Sequence, residues 1–241
     1  MPPLATRKWL KPVSHTSSFL FSIGRPWEIL RQDIPVSTSP GTTTTRTVDL
    51  YTKQGGGDTY TSLIGLSPDH GMGISITTAG PSSFSAGMEI IRQLFIDLWL
   101  PAAEQAARDQ ASQNFVGTYT LADNSSIEIK LDPNQPALFL PRVISNGTDM
   151  FPLIEQLQNR QGPLGMWLYP MGLVAENRVA FRGVTGVGGR PAAKDCGSWA
   201  EGDRMRWGNY PVDLVIFEMG KDGKAVTVEV PALGRRLEKV R

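Results

Sequence analysis

What most constrains the fold of this chain is the place of its helical pattern, which lies between two stretches of short, alternating, β-prone runs. Residues 48–52, 60–66 and 72–78 are such runs, separated by Gly55-Gly56-Gly57-Asp58 and Pro68-Asp69-His70-Gly71, both turn-forming clusters. They predict a three-stranded antiparallel meander. Upstream, an apolar island at residues 19–30 reads as a further strand between two loops. After Ala79-Gly80-Pro81, with Ser82 or Ser83 as N-cap, Met88, Ile91, Leu94, Phe95, Leu98 and Trp99 recur at spacings of three and four. That spacing predicts an amphipathic helix. Pro101 ends it or opens a second helical piece over residues 102–113, rich in Ala, Gln and Arg. From Phe115 the alternation returns in short runs near residues 126–131, 137–140, 178–181, 214–218 and 226–230, punctuated by Asp132-Pro133-Asn134, Asn146-Gly147 and Lys221-Asp222-Gly223. The fold class is therefore α+β: a meander with a C-terminal helix, followed by an antiparallel β-sandwich or barrel. The domain boundary falls within residues 112–116, giving domains 1–113 and 114–241.

Composition excludes several functions. The chain has 241 residues, 40% hydrophobic and 20% charged, which is enough apolar material for a real core. Lys+Arg number 24 against 23 Asp+Glu, so the net charge of +1 gives no field to attract nucleic acid or an anionic membrane. The single cysteine, Cys196, excludes an internal disulfide and any CxxC site, and reads as a buried small residue. The longest apolar run, residues 90–100, is broken by Arg92, Gln93 and Asp97 and is too short to span a bilayer. Residues 1–12 carry Arg7, Lys8 and Lys11 without a following apolar segment or cleavage site, so the chain as written is not expected to enter the secretory pathway, and its compartment stays open. No cofactor or metal is expected.

The chemistry-bearing patterns are few. No Ser is followed by Lys three positions later, and no Gly-x-Ser-x-Gly elbow occurs. His15 lies in a Ser/Thr-rich loop and His70 in a hairpin turn, so both read as solvated polar residues. Asp195, Glu201, Asp203 and Asp213 offer carboxylates, but their spacing brings no two together as an acid/base pair. Trp167, Tyr169, Trp199, Trp207 and Tyr210 could line a pocket, though aromatic residues in a β-domain usually belong to the core. Asn124-Ser125-Ser126 and Asn146-Gly147-Thr148 fit glycosylation acceptors. The richest segment is Lys53-Gln54-Gly55-Gly56-Gly57. A lysine at a strand end beside glycines can present an ammonium and backbone N–H groups to an anion, and the competing reading is a flexible hairpin turn.

Tyr51-Thr52-Lys53-Gln54-Gly55, followed by Tyr60-Thr61-Ser62-Leu63-Ile64-Gly65-Leu66-Ser67-Pro68-Asp69-His70-Gly71-Met72-Gly73-Ile74, resembles the last motif block of the class C β-lactamase and penicillin-binding-protein-like serine hydrolases. In that family a Lys-Thr-Gly or similar tripeptide lies on a sheet edge beside the catalytic serine, and a long C-terminal helix follows. Trp9-Leu10-Lys11-Pro12, Gly24-Arg25-Pro26-Trp27-Glu28-Ile29 and the tail from Phe115-Val116-Gly117-Thr118-Tyr119 resemble the fungal branch, which appends a β-rich C-terminal domain. The resemblance implies that Lys53, Gly55 and Gly56 bind substrate, with Gln54 in place of the usual Thr. It also implies a Ser-x-x-Lys nucleophile and a Tyr-x-Asn element, and neither occurs in these 241 residues; Tyr60-Thr61-Ser62 falls on the wrong strand.

Three functions follow as expectations. The first is an inactive remnant or truncated form of an acyl-serine hydrolase, with no catalytic residue in this chain. The second is a hydrolase or acyltransferase of a fungal secondary-metabolite pathway. The third is a non-catalytic module that binds a small molecule or a protein. A sheet with helices on one face only leaves the other face open, so self-association or a partner protein is expected there, along with a small-molecule substrate and neither nucleic acid nor membrane.

Overall fold

The computed structural model of the chain describes residues 2–36, 44–80, 86–133, 135–158, 164–187 and 205–240. Two compact units are formed, Met1–Ala107 and Arg108–Arg241.

In the first unit a short helix, α1 (Pro3–Trp9), precedes β1 (Ser14–His15), β2 (Phe21–Ile23), β3 (Glu28–Pro35), β4 (Thr45–Gly57), β5 (Tyr60–Ser67) and β6 (Met72–Ala79). Among the described residues these form one antiparallel six-stranded sheet in sequence order, so the expected meander is its β4–β6 half. The apolar island is not one strand. Gly24-Arg25-Pro26 interrupts it, Pro26 having no N–H for a ladder, and the Gly24 N–H bonds the Trp27 carbonyl at 2.7 Å to close a turn between β2 and β3. The glycine run is not a turn either. β4 continues through Gly57, and the hairpin turns at Asp58-Thr59, where Asp58 has a φ of 51°.

The helix that follows has three parts: α2 (Ala86–Leu94), a wide π turn (Phe95–Trp99) and α3 (Leu100–Phe115). Pro101 neither ends the helix nor starts a separate one. Proline inside a helix removes a hydrogen bond and crowds the carbonyl four residues back, and the π turn just ahead of it gives that carbonyl room. Met88, Phe95, Ile96 and Leu100 are buried, whereas Ile91, Leu94, Leu98 and Trp99 of the expected stripe are exposed. Phe95, Ile96 and Leu100 pack on Ile34, Val48 and Leu50 of the sheet, and Met88 packs on Leu63 and Ile76.

The second unit contains β7 (Gly117–Leu121), β8 (Ser125–Leu131), β9 (Leu138–Leu140), β10 (Val143–Ser145), β11 (Thr148–Asp149), α4 (Phe151–Gln158), β12 (Leu164–Ala175), β13 (Arg178–Val187), β14 (Arg206–Trp207), β15 (Tyr210–Pro211), β16 (Leu214–Met219), β17 (Ala225–Val230) and β18 (Arg235–Lys239). Because β9 pairs with both β12 and β8, eight antiparallel strands of the described residues close in the cyclic order β7-β8-β9-β12-β13-β16-β17-β18. The architecture is a barrel rather than an open sandwich, and β10 and β11 extend outward from β8. Alternate residues point inward: Ile127 and Ile129, Leu138 and Leu140, Leu164, Met166 and Leu168, Val215 and Phe217, Val228 and Val230. Phe115, at the end of α3, completes this core with its ring 5.2 Å from Phe181 and 5.0 Å from Phe217. The interior is therefore filled with side chains.

Candidate functional site

Lys53, Gly55 and Gly56 lie on β4 beyond the reach of β3. The β3–β4 ladder ends at Glu28 opposite Thr52, while the β4–β5 ladder runs on to Gly57 opposite Tyr60. From Lys53 onward, β4 is thus an interior strand that has become a local edge, with one side of its backbone available to bond a ligand. Strand alternation puts Lys53 and Gly55 on the sheet face opposite the helix and Gly56 on the helix-side face. Gly56 is tightly placed: a Cβ there would stand 3.0 Å from the Tyr60 carbonyl oxygen.

The register brings further groups to Lys53. Gly55 faces Ser62, which faces Thr77, and Lys53 faces Ile64, which faces Ser75; all three hydroxyl residues are exposed. In the sequence Ser62 stands out only as part of Tyr60-Thr61-Ser62, and Ser75 and Thr77 are ordinary outward strand positions; only pairing across three strands unites them. Lys53 Nζ is 2.5 Å from Glu28 Oε1 in a partly exposed ion pair, so an incoming anion competes with this carboxylate. On the same face, Tyr51 is raised above its ordinary value by burial and then by the charges of Asp49 and Asp69. Its phenol stays protonated at neutral pH. An ammonium, a glycine edge and hydroxyls can hold a carboxylate or a developing oxyanion.

A second cluster was not foreseen. The His70 side chain is 1% exposed and therefore not solvated. Its Nε2 lies 2.9 Å from Glu104 Oε1 and its Nδ1 2.6 Å from Ser67 Oγ. A carboxylate only accepts, so Nε2 carries the proton, and Nδ1 accepts from the Ser67 hydroxyl. Arg46 donates to Glu104 and, at 2.8 Å, to Asp69. Burial pulls the Arg46 guanidinium down, but its bonds to Glu104 and Asp69 outweigh that and leave it raised. The sequence Ser–His–Glu has the hydrogen-bonding sense of a charge-relay triad. Yet Ser67 is 0% exposed, so its hydroxyl does not face a substrate. The cluster ties the turn after β5 to α3.

Other sequence candidates separate. Trp167 is outward-facing on β12 but 1% exposed, its Nε1 donating to Asp132 Oδ2 at 2.7 Å, whereas Trp207 and Tyr210 are exposed and pair with each other across β14 and β15. Asp213 is buried in an ion pair with Arg182. His15 is exposed, with Nδ1 3.1 Å from Ser22 Oγ. Cys196, Trp199, Asp195, Glu201 and Asp203 lie outside the described residues. Among the described residues no group of three His, Cys, Asp or Glu side chains could hold a metal ion, and no helix is long and apolar enough to cross a membrane.

A family model described as "Beta-lactamase-like-like, C-terminal domain" matches residues 107–241, more than half of the chain. A "Beta-lactamase-like protein" of Arthroderma benhamiae is 31% identical over 268 residues, covering 96% of this chain and 44% of the relative. "Probable hydrolase M10" of a Phoma species is 27% identical over 172 residues, covering 69% of this chain and 27% of the relative. "Beta-lactamase-like protein str6" of Strobilurus tenacellus is 24% identical over 229 residues, covering 92% of this chain and 69% of the relative. The chain spans less than half the length of the first two. With a family model matching residues 107–241 and a relative 31% identical across 96% of the chain, the chain belongs to the β-lactamase-like family.

Proposed function

We propose that the chain provides the substrate-side sheet edge and the accessory barrel of an acyl-serine hydrolase or acyltransferase, and that these 241 residues by themselves are hydrolytically silent. The observation that carries this reading is the local edge at Lys53, Gly55 and Gly56, open where β3 stops and flanked by the hydroxyls of Ser62 and Thr77. Acyl transfer needs such a cradle for an anionic substrate group or oxyanion, and it also needs an activated nucleophile. The motif supplying one in this family, Ser-x-x-Lys, does not occur in the sequence. Ser67, the one serine among the described residues that joins a His–carboxylate pair, is buried. The "Probable hydrolase" name of one relative supports the hydrolytic side of the reading.

The test has two arms. The purified chain should not turn over nitrocefin or p-nitrophenyl esters, and benzylpenicillin, a carboxylate-bearing probe, should shift the amide resonances of Gly55 and Gly56 in wild type but not in Lys53→Ala. Turnover would overturn the silent reading. Shifts elsewhere, or equal shifts in Lys53→Ala, would remove Lys53 from the site.

A further inference from the structure

The two Asn-x-Ser/Thr triplets meet at one place in the second unit. Asn146 and Gly147 are the two-residue tip of the β10–β11 hairpin, Ser145 pairing with Thr148. Their φ angles of 49° and 77° are those of a type I′ turn. Asn124, with a φ of 61°, closes the turn between β7 and β8. The turns are joined: the Asn146 N–H donates to Ser125 Oγ at 2.9 Å, and the Gly147 N–H donates to the Asn124 carbonyl at 3.1 Å.

Both asparagines are exposed, so the residues that follow distinguish them. Gly147 and Thr148 are exposed as well, and a Cβ built on Gly147 would meet nothing within 4 Å. The Asn146 carboxamide makes no hydrogen bond among the described residues. In the other triplet Ser125 is 2% exposed, and Ser126 is half-buried in β8 with Thr120 on one side and Ile144 on the other. Among the described residues β11 pairs only with β10, outside the closed barrel, so its hairpin can open without breaking the barrel ladder. Opening the Asn124 triplet would pull on barrel strand β8.

We propose that Asn146 is the triplet competent to accept an N-glycan when the chain is carried through the secretory pathway, and that Asn124 is not. In the transfer, the Asn146 amide nitrogen bonds to the anomeric carbon of a lipid-pyrophosphate-linked oligosaccharide. The bond from that carbon to the pyrophosphate oxygen breaks, the lipid pyrophosphate leaves with the electron pair, and the amide releases one proton. The Thr148 hydroxyl is the second recognition element. This inference stands independently of the hydrolase reading.

The chain is expressed behind a secretory leader in yeast, and its intact mass is compared before and after PNGase F. One glycan is expected. It should be lost in Asn146→Asp, which keeps a residue tolerant of the left-handed turn, and in Thr148→Ala, which leaves the turn tip untouched. It should persist in Asn124→Asp. Near-UV circular dichroism of each variant confirms that the barrel is intact. No PNGase F shift in the wild type, or a glycan that survives Asn146→Asp and disappears in Asn124→Asp, would overturn the proposal.

Discussion

At His70, four polar side chains from the sheet, a turn and α3 share one buried set of hydrogen bonds. Removing the imidazole leaves the Ser67 hydroxyl without its acceptor and one face of Glu104 without a donor. His70→Ala should therefore cost about 1–3 kcal/mol of stability, read by urea unfolding. His15→Ala, on the surface, should stay within roughly 0.5 kcal/mol. The sequence shows both as histidines near turns. What distinguishes them is Glu104, 34 positions downstream of His70, and no local pattern records that distance. Tyr119 gives a pH-dependent prediction for the barrel. Its hydroxyl donates to the Phe115 carbonyl at 2.7 Å, and burial pushes the phenol well above its ordinary value. Below about pH 10 the phenol is neutral whether folded or unfolded and adds no pH dependence. Above that, the unfolded chain releases a proton that the folded barrel keeps, so stability falls as pH rises. In Tyr119→Phe the alkaline loss should shrink, at a cost of about 1 kcal/mol at neutral pH for the missing hydrogen bond. Urea midpoints compared at neutral and alkaline pH check both signs.

The elements were legible where a simple period holds and illegible where it changes. β4, β5 and β6 are evident from alternation such as Leu63, Gly65 and Ser67 buried between exposed Ser62 and Ile64. The glycine run of β4 reads as a turn because glycine is read as conformational freedom. At Gly56 it serves close approach, so Gly56→Ala should weaken the β4–β5 hairpin and raise amide exchange at Thr61. The helix misleads more deeply: of the apolar residues spaced by three and four, Ile91 and Leu94 are exposed ahead of the π turn and Leu98 and Trp99 within it, while Ile96 and Leu100, outside that spacing, are buried. Leu100, fully buried, should cost about 2–5 kcal/mol on truncation to Ala. Leu98, 59% exposed and in the predicted stripe, should change stability by less than roughly 0.5 kcal/mol. Thermal unfolding of the two variants tests which face is buried.

For the molecule as a whole, the barrel closes on its own strands and encloses its own core, including Phe115. A piece spanning residues 100–241, which keeps α3 whole, should unfold cooperatively and retain protected amides in β8, β12 and β16. Closure itself was beyond the sequence, because it depends on the three-residue β9 bridging β12 and β8. The Lys53 segment was legible as a motif, whereas its exposure as an edge follows from β3 ending opposite Thr52. The proposal of a silent chain holds that, among the described residues, no serine beside this edge is activated to accept an acyl group. Intact mass spectrometry of the purified chain after excess fluorophosphonate probe tests that claim most directly. The expected result is an unmodified mass; a stoichiometric adduct on any serine, Ser67 included, would overturn the silent reading.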